Sequence, residues 1–159
     1  IISRELMIYI SVANKARKQI DDSRLEQAAR LALKSVKQPE TASIVVKLTT
    51  DKQIQKLNAK YRGVDKPTDV LSFENQYIDP ENGEMFLGDI IISLETASAQ
   101  AVSHGSSLQH ELEMLLVHGV LHLTGYDHAN RQHRDRMSKT QDAILTALGN
   151  PLINSIAEV

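Results

Sequence analysis

The chain reads as an α+β protein: one domain over residues 1–159, with a small mixed four-stranded sheet packed against about five helices. Two observations carry that expectation. A length of 159 residues fits a single core rather than several. Short runs rich in β-branched residues are interleaved with longer segments whose apolar residues recur at helical spacing. No internal repeat, low-complexity tract or linker breaks the pattern.

The elements follow in order. Leu6 to Val12 is β-branched and aromatic enough for a strand. Ser23, with Glu26 three residues on, has capping-box spacing for a helix whose buried side is Leu25, Ala28, Ala29, Ala32 and Val36, with Pro39 as its stop. Ser43 to Thr49 is a second strand. Thr50 and Gln53 repeat the capping-box spacing and open a helix that runs to Arg62, with Gly63 as its terminator. The apolar side of that helix is Ile54, Leu57 and Tyr61, and Lys52, Lys56 and Lys60 repeat every four residues along another side.

Asp69 to Phe73 is the third strand, followed by a polar loop around Asp79-Pro80-Glu81-Asn82-Gly83. Leu87 to Ser93 is the fourth, apolar enough for burial on both faces. Ser93 caps a helix ending at His104 and Gly105; Ser106 or Ser107 caps the next, which runs to Gly125. A last helix covers Arg131 to Leu148, with Gly149 and Pro151 beyond it.

Composition narrows the function. There is no cysteine, so disulfides, thiolate metal sites and cysteine nucleophiles are excluded together. No apolar run approaches the roughly 18 residues of a membrane span. Ile1 to Ile10 carries Arg4 and Glu5 and lacks a small-residue cleavage site, so no signal peptide is expected, and a first residue other than Met suggests a trimmed or renumbered chain. A soluble intracellular protein is the expectation. Net charge is only −2, but residues 67–130 hold ten acids and no Lys or Arg. That segregation describes either a field across the surface or two solvated faces of unequal sign.

The informative stretch is His118-Gly-Val-Leu-His-Leu-Thr-Gly-Tyr-Asp-His128. His118 and His122, four residues apart in a helix, lie about 40° apart on one face, one turn above the other. Gly125 ends the helix and lets the chain return so that His128 closes a triad. The spacing is that of the extended zinc-protease signature, a zincin-like histidine helix, with Gly119 where those proteases carry Glu. Three neutral imidazoles with one open position describe a catalytic zinc site, able to acidify a water and attract a phosphate oxygen. Nickel and cobalt suit imidazole equally.

Gly119 costs about 1 kcal/mol relative to Ala within a helix, so it implies either space for substrate beside the ion or close helix–strand packing. Asp127, Asp69 and Asp89 are candidates to hold the second N–H of a ligand imidazole, Asp127 being equally suited to a turn. His104, His110 and His133 read as surface or capping residues. Arg62, at a helix end, can reach a phosphate with its guanidinium fork; with Lys52, Lys56, Lys60 and Lys66 it makes a basic strip suited to a nucleic-acid backbone, or else a solvated helix face.

Three blocks in order, Asn58 to Phe73 (N-x-x-Y-R-x-x-D-x-P-T-D-V-L-S-F), Leu87 to Ser93 and the histidine block, closely resemble the YbeY family of bacterial endoribonucleases and rRNA maturation factors. Gln100-Ala101 and Gly105-Ser106 also fall where that family has counterparts. By position the resemblance implies zinc ligands at His118, His122 and His128 and a functional arginine at Arg62. It further implies a sheet with helices packed around it and hydrolysis of single-stranded RNA. The work includes trimming the 3′ end of 16S rRNA in the small subunit and ribosome quality control, in the cytoplasm, with no DNA or membrane partner. Glu74 stands where the family usually has Pro, which bears on the loop from Glu74 to Met85. The residues name no general base, and attack by water or by a 2′-hydroxyl fits equally. A zinc metallopeptidase-like hydrolase, opposed by Gly119, and a non-catalytic zinc-stabilised RNA- or ribosome-binding module are the alternatives.

Overall fold

The computed structural model describes residues 7–10 and 17–153. Leu6, Ser11 and Val12 of the first expected strand, and the Arg4 and Glu5 that argued against a signal peptide, lie outside the described residues. The elements are β1 (Met7–Ile10), α1 (Asp22–Ser35), β2 (Ser43–Thr49), α2 (Asp51–Arg62), β3 (Val70–Ile78), β4 (Met85–Ser93), α3 (Leu94–His104), α4 (Leu108–Leu123) and α5 (Arg131–Leu148).

The architecture is α+β. β2 pairs parallel with β4, β4 pairs antiparallel with β3, and the short β1 adds in parallel along β2, so the order is β1-β2-β4-β3. The sheet is covered unequally. Its inner face, with Ile44, Val46, Leu48, Val70, Ile90 and Ile92, packs into one core with α1, α3, α4 and α5. Its outer face carries a smaller cluster in which Leu71 and Ile91 meet Ile54 of α2, flanked by Leu57 and Phe73. β4 is thus apolar on both sides from Ile90 to Ile92, as its continuous hydrophobic run implies. Leu112, Met114, Leu115, Leu116, Val117, Val120 and Leu121 of α4 are all fully buried. A helix that is apolar all round must lie at the centre of its domain, and that is where the histidine motif sits.

Most boundaries agree with the sequence reading. Thr50, Ser93 and Ser107 cap α2, α3 and α4, each side-chain oxygen accepting from the amide three residues on. Gly63, Gly105 and Gly149 end α2, α3 and α5 in the left-handed conformation.

Three expectations are corrected. The cap of α1 is Asp21, not Ser23: the Asp21 carboxylate accepts from the amides of Ser23 and Arg24, and the Ser23 hydroxyl itself donates to Asp21. α1 also stops at Ser35, before Pro39, because Lys37 turns to φ 60° and the Gln38 amide closes back on the Leu33 carbonyl. The third strand, expected to end at Phe73, runs further, while the turn expected around residues 79–83 is present. β3 continues to Ile78 and forms a hairpin with β4, closed by an Asp79 amide to Glu84 carbonyl bond of 2.9 Å. Residues 74–78 are exposed on an edge strand, so their pairing is backbone-driven and leaves no apolar period to read. Within that hairpin the ladder shifts register between Glu74 and Tyr77. Gly88 sits opposite at φ 148°, where a Cβ would lie 2.2 Å from the Phe73 carbonyl oxygen, so no other residue fits.

Candidate metal centre

The last two turns of α4 present His118 and His122, and the chain reversal after them returns His128 to the same place. Thr124 is the helix cap, Gly125 adopts φ 103°, and the Tyr126 amide closes on the Leu121 carbonyl at 3.0 Å. Asp127 then takes the Ala129 amide in an Asx turn, and Asn130 caps α5 through the His133 amide. Helix, glycine turn and Asx turn are local structures that the sequence specifies, and together they aim three rings at one point.

One ring nitrogen from each of His118, His122 and His128 lies within 4.8 Å of the others. The Nε2 atoms of His118 and His122 are 3.0 Å apart. Ring centroids are separated by 4.6, 5.3 and 5.1 Å. His118 is buried, and the other two are half-buried. The Nε2 of His128 is buried with no hydrogen-bond partner, an expensive state for a ring nitrogen unless something else occupies its lone pair or proton. A divalent cation meets that need. Three imidazoles with no anionic partner are a donor set suited to zinc, nickel or cobalt.

Each of the three candidate acids has other surroundings. Asp127 accepts from His133 Nδ1 at 2.8 Å, and the Ala129 amide and the His133 ring together hold its carboxyl below the usual range. Asp69 is fully buried but is occupied by the Val70 amide and Gln100. Asp89 lies on the outer face of the sheet, in a groove with Lys47, Tyr61 and Phe73.

The support comes instead from Gln141 of α5, whose Oε1 lies 2.9 Å from His118 Nδ1. Sequence reasoning missed this residue. The signal was a lone amide within the apolar stripe Met137, Ile144, Leu145 and Leu148, where a polar side chain needs a partner. His104, read as a capping residue, also pairs with the fully buried Glu111, which further accepts from Ser106.

Gly119 is settled by packing. A Cβ there would meet Ile90 Cγ2 at 2.7 Å, so the glycine lets α4 approach β4 closely. Its carbonyl accepts from Ser72 Oγ at 3.0 Å, which ties β3 to the histidine helix. Arg62 is exposed at the end of α2 and donates from Nη2 to the Ser72 carbonyl at 3.4 Å. Arg62 is therefore linked through one residue of β3 to the residue following His118. The lysines lie elsewhere: Lys52, Lys56 and Lys60 line an open depression of about 650 Å³ with Gln55, Ala59 and Asp65, and neither Arg62 nor a histidine borders it. Tyr61 is 58% exposed rather than packed, its ring edge-on to Phe73 and under Lys60 Nζ.

Comparison with known proteins adds independent support. A family model described as Endoribonuclease YbeY matches residues 11–149. The Endoribonuclease YbeY of Heliobacterium modesticaldum is 46% identical over 136 residues, covering 79% of this chain and 81% of its own length. That of Desulfitobacterium hafniense is 42% identical over 133 residues, covering 79% and 83%, and that of Chloroflexus aggregans 38% over 138 residues, covering 83% and 90%. Among solved structures, the solution structure of TM1509 from Thermotoga maritima superposes with a TM-score of 0.55 at 25% identity, covering 96% of this chain and 99% of that one. With the match running through the Arg62 block, the fourth strand and the histidine turn alike, the chain belongs to the YbeY family of endoribonucleases.

Proposed function

We propose that this endoribonuclease cuts single-stranded RNA at a zinc centre formed by His118, His122 and His128, with Arg62 binding the scissile phosphate. The observation that carries the reading is three ring nitrogens, one from each histidine, within 4.8 Å of one another, together with a buried, unpartnered Nε2 on His128. When bound, the dication supplies Lewis-acid activation of a water or phosphate oxygen. The protein supplies position: α4 fixes two rings, the glycine turn fixes the third, and Gln141 orients His118. Arg62 spends one N–H on the Ser72 carbonyl. A guanidinium has five, so its fork keeps donors for a phosphate and for the charge that grows on it in the transition state.

The substrate is ribosomal RNA of the small subunit, the work 3′-end maturation of 16S rRNA and ribosome quality control, and the compartment the cytoplasm. Support for this is the family membership and the absence, among the described residues, of any helix long and apolar enough to cross a membrane. Residues 1–159 act as one domain, and its sheet is the four-stranded sheet of a zincin-like fold. Peptide hydrolysis is disfavoured because position 119, where zinc proteases carry the catalytic carboxylate, is a glycine filled against Ile90.

Elemental analysis of the purified protein alongside cleavage of a defined single-stranded RNA tests the reading. One zinc per chain is expected. His118→Ala loses both metal and cleavage. Arg62→Ala keeps the metal and loses about 10²–10³-fold in rate, the scale of one transition-state donor. An Arg62→Ala protein with normal metal and a normal rate removes Arg62 from the site. Chelator-sensitive casein hydrolysis with RNA untouched would replace the nuclease reading altogether.

A further inference from the structure

We infer that Gln141 is a positioning residue of the metal centre, holding His118 in the Nδ1–H form so that its Nε2 lone pair faces the other two imidazoles. This rests on the reading of the three histidines as a metal site and adds to it a residue on a different helix.

The argument begins with donor and acceptor chemistry. The Gln141 atom 2.9 Å from His118 Nδ1 is the side-chain oxygen, which can only accept. The shared proton therefore belongs to Nδ1, and a neutral imidazole protonated there has its lone pair on Nε2. That nitrogen is the one 3.0 Å from His122 Nε2. The 3.0 Å contact is then His122 Nε2–H donating to His118 Nε2; with a cation held there, His122 would carry its proton on Nδ1 instead, whereas the His118 proton would stay where it is. His118 thus needs no change of tautomer to become a ligand.

Burial makes the arrangement specific. Gln141 is 3% exposed and His118 2%, so neither has water as an alternative partner of equal quality. Gln141 comes from α5, flanked on its stripe by Met137, Ile144 and Leu145, whereas His118 comes from α4. The segment joining these two helices is the one that carries His128. A bond across the helix pair at Gln141 therefore orients one ligand and holds together the two ends of the turn that delivers another.

Gln141→Met keeps length and apolar contacts but removes the acceptor; Gln141→Glu keeps an acceptor oxygen; Gln141→Asn keeps the amide but withdraws it by one methylene. The first readout is the histidine tautomer in metal-free protein, from long-range ¹⁵N–¹H correlation spectra. The second is zinc affinity, from competition with a chromophoric chelator. The wild type is expected to show His118 as Nδ1–H. Gln141→Met loses that preference and binds zinc about 10–100-fold more weakly. Gln141→Asn weakens binding in the same direction, and serves if the methionine variant does not fold. Gln141→Glu binds within about threefold of the wild type or more tightly.

A merely structural glutamine would lower the melting temperature of the variants while leaving tautomer and affinity unchanged, and that result overturns the inference. A wild type that does not compete for zinc overturns the metal-site reading, and the inference with it. Zinc-binding wild type beside a Gln141→Met protein of equal affinity and tautomer overturns the inference alone.

Discussion

A methyl group at position 119 would press on Ile90, and this one contact decides what the glycine is for. Ala is favoured over Gly in a helix by about 1 kcal/mol, but an added carbon 2.7 Å from Ile90 Cγ2 is over-packing, which costs roughly 1–3 kcal/mol in a tight core. Gly119→Ala is therefore expected to lower stability, and Ile90→Ala in the same chain to recover part of the loss. Thermal melts of the two single variants and the double variant measure this; a Gly119→Ala protein more stable than the wild type would return the glycine to a substrate-space role. The sequence left these readings level because the neighbour of position 119 is 29 residues away along the chain. A separation of 23 residues hid Gln141, whose partner is on another helix, while Asp127 stands beside His128 and serves its own turn and His133.

Helices in this protein are joined by buried polar ties as well as by apolar faces. Glu113 of α4 is fully buried, yet it accepts two bonds from Arg24 of α1 at 2.8 and 2.9 Å and others from Gln109 and Asn150. Burial, the largest single influence, pushes its carboxyl up, but the combined donors outweigh it and hold the group below its ordinary value of 4.5. A carboxyl depressed in the folded state contributes stability that is fully present above the unfolded value and is lost as pH falls through the folded one. The melting temperature should thus fall on acidification below about pH 4.5, and less steeply in Glu113→Gln, which keeps the shape without the charge. Glu113→Ala leaves Arg24, Gln109 and Asn150 short of an acceptor and is expected to cost about 2–3 kcal/mol by denaturant titration.

The starts of α2 and α3 are tied in a similar way: the Asp51 carboxylate accepts from Ser93 and Thr96, and Glu95 accepts from the Asp51 amide. Thr50→Ala, which removes the acceptor for the Gln53 amide, should cost about 1 kcal/mol in the same measurement. These caps were legible because they lie within three residues of the amides they serve; Asp21 was passed over because a serine two residues later offered the same chemistry.

For the molecule as a whole, a metal that binds only the folded chain adds its binding free energy to stability. Zinc at 100 times its dissociation constant should stabilise by about 2.7 kcal/mol, seen as a rise in melting temperature that chelator reverses and His118→Ala abolishes. No rise in the wild type would sink the metal centre. What the order of residues settles here is everything short-range: strands from β-branched runs, helix ends from capping side chains and left-handed glycines, and a histidine triad whose members are separated by one helical turn and one tight turn. Those follow from backbone stereochemistry and bonds spanning a few residues, which any chain of this order must form. Packing settles the rest. It extends β3 into a long hairpin strand exposed from residue 74 on, turns Gly119 into a contact with β4, carries Arg62 to Ser72 and brings Gln141 to His118. Each of these joins residues that only the burial of α4 against the sheet and its neighbouring helices brings within reach, and no local pattern along the chain encodes that closeness.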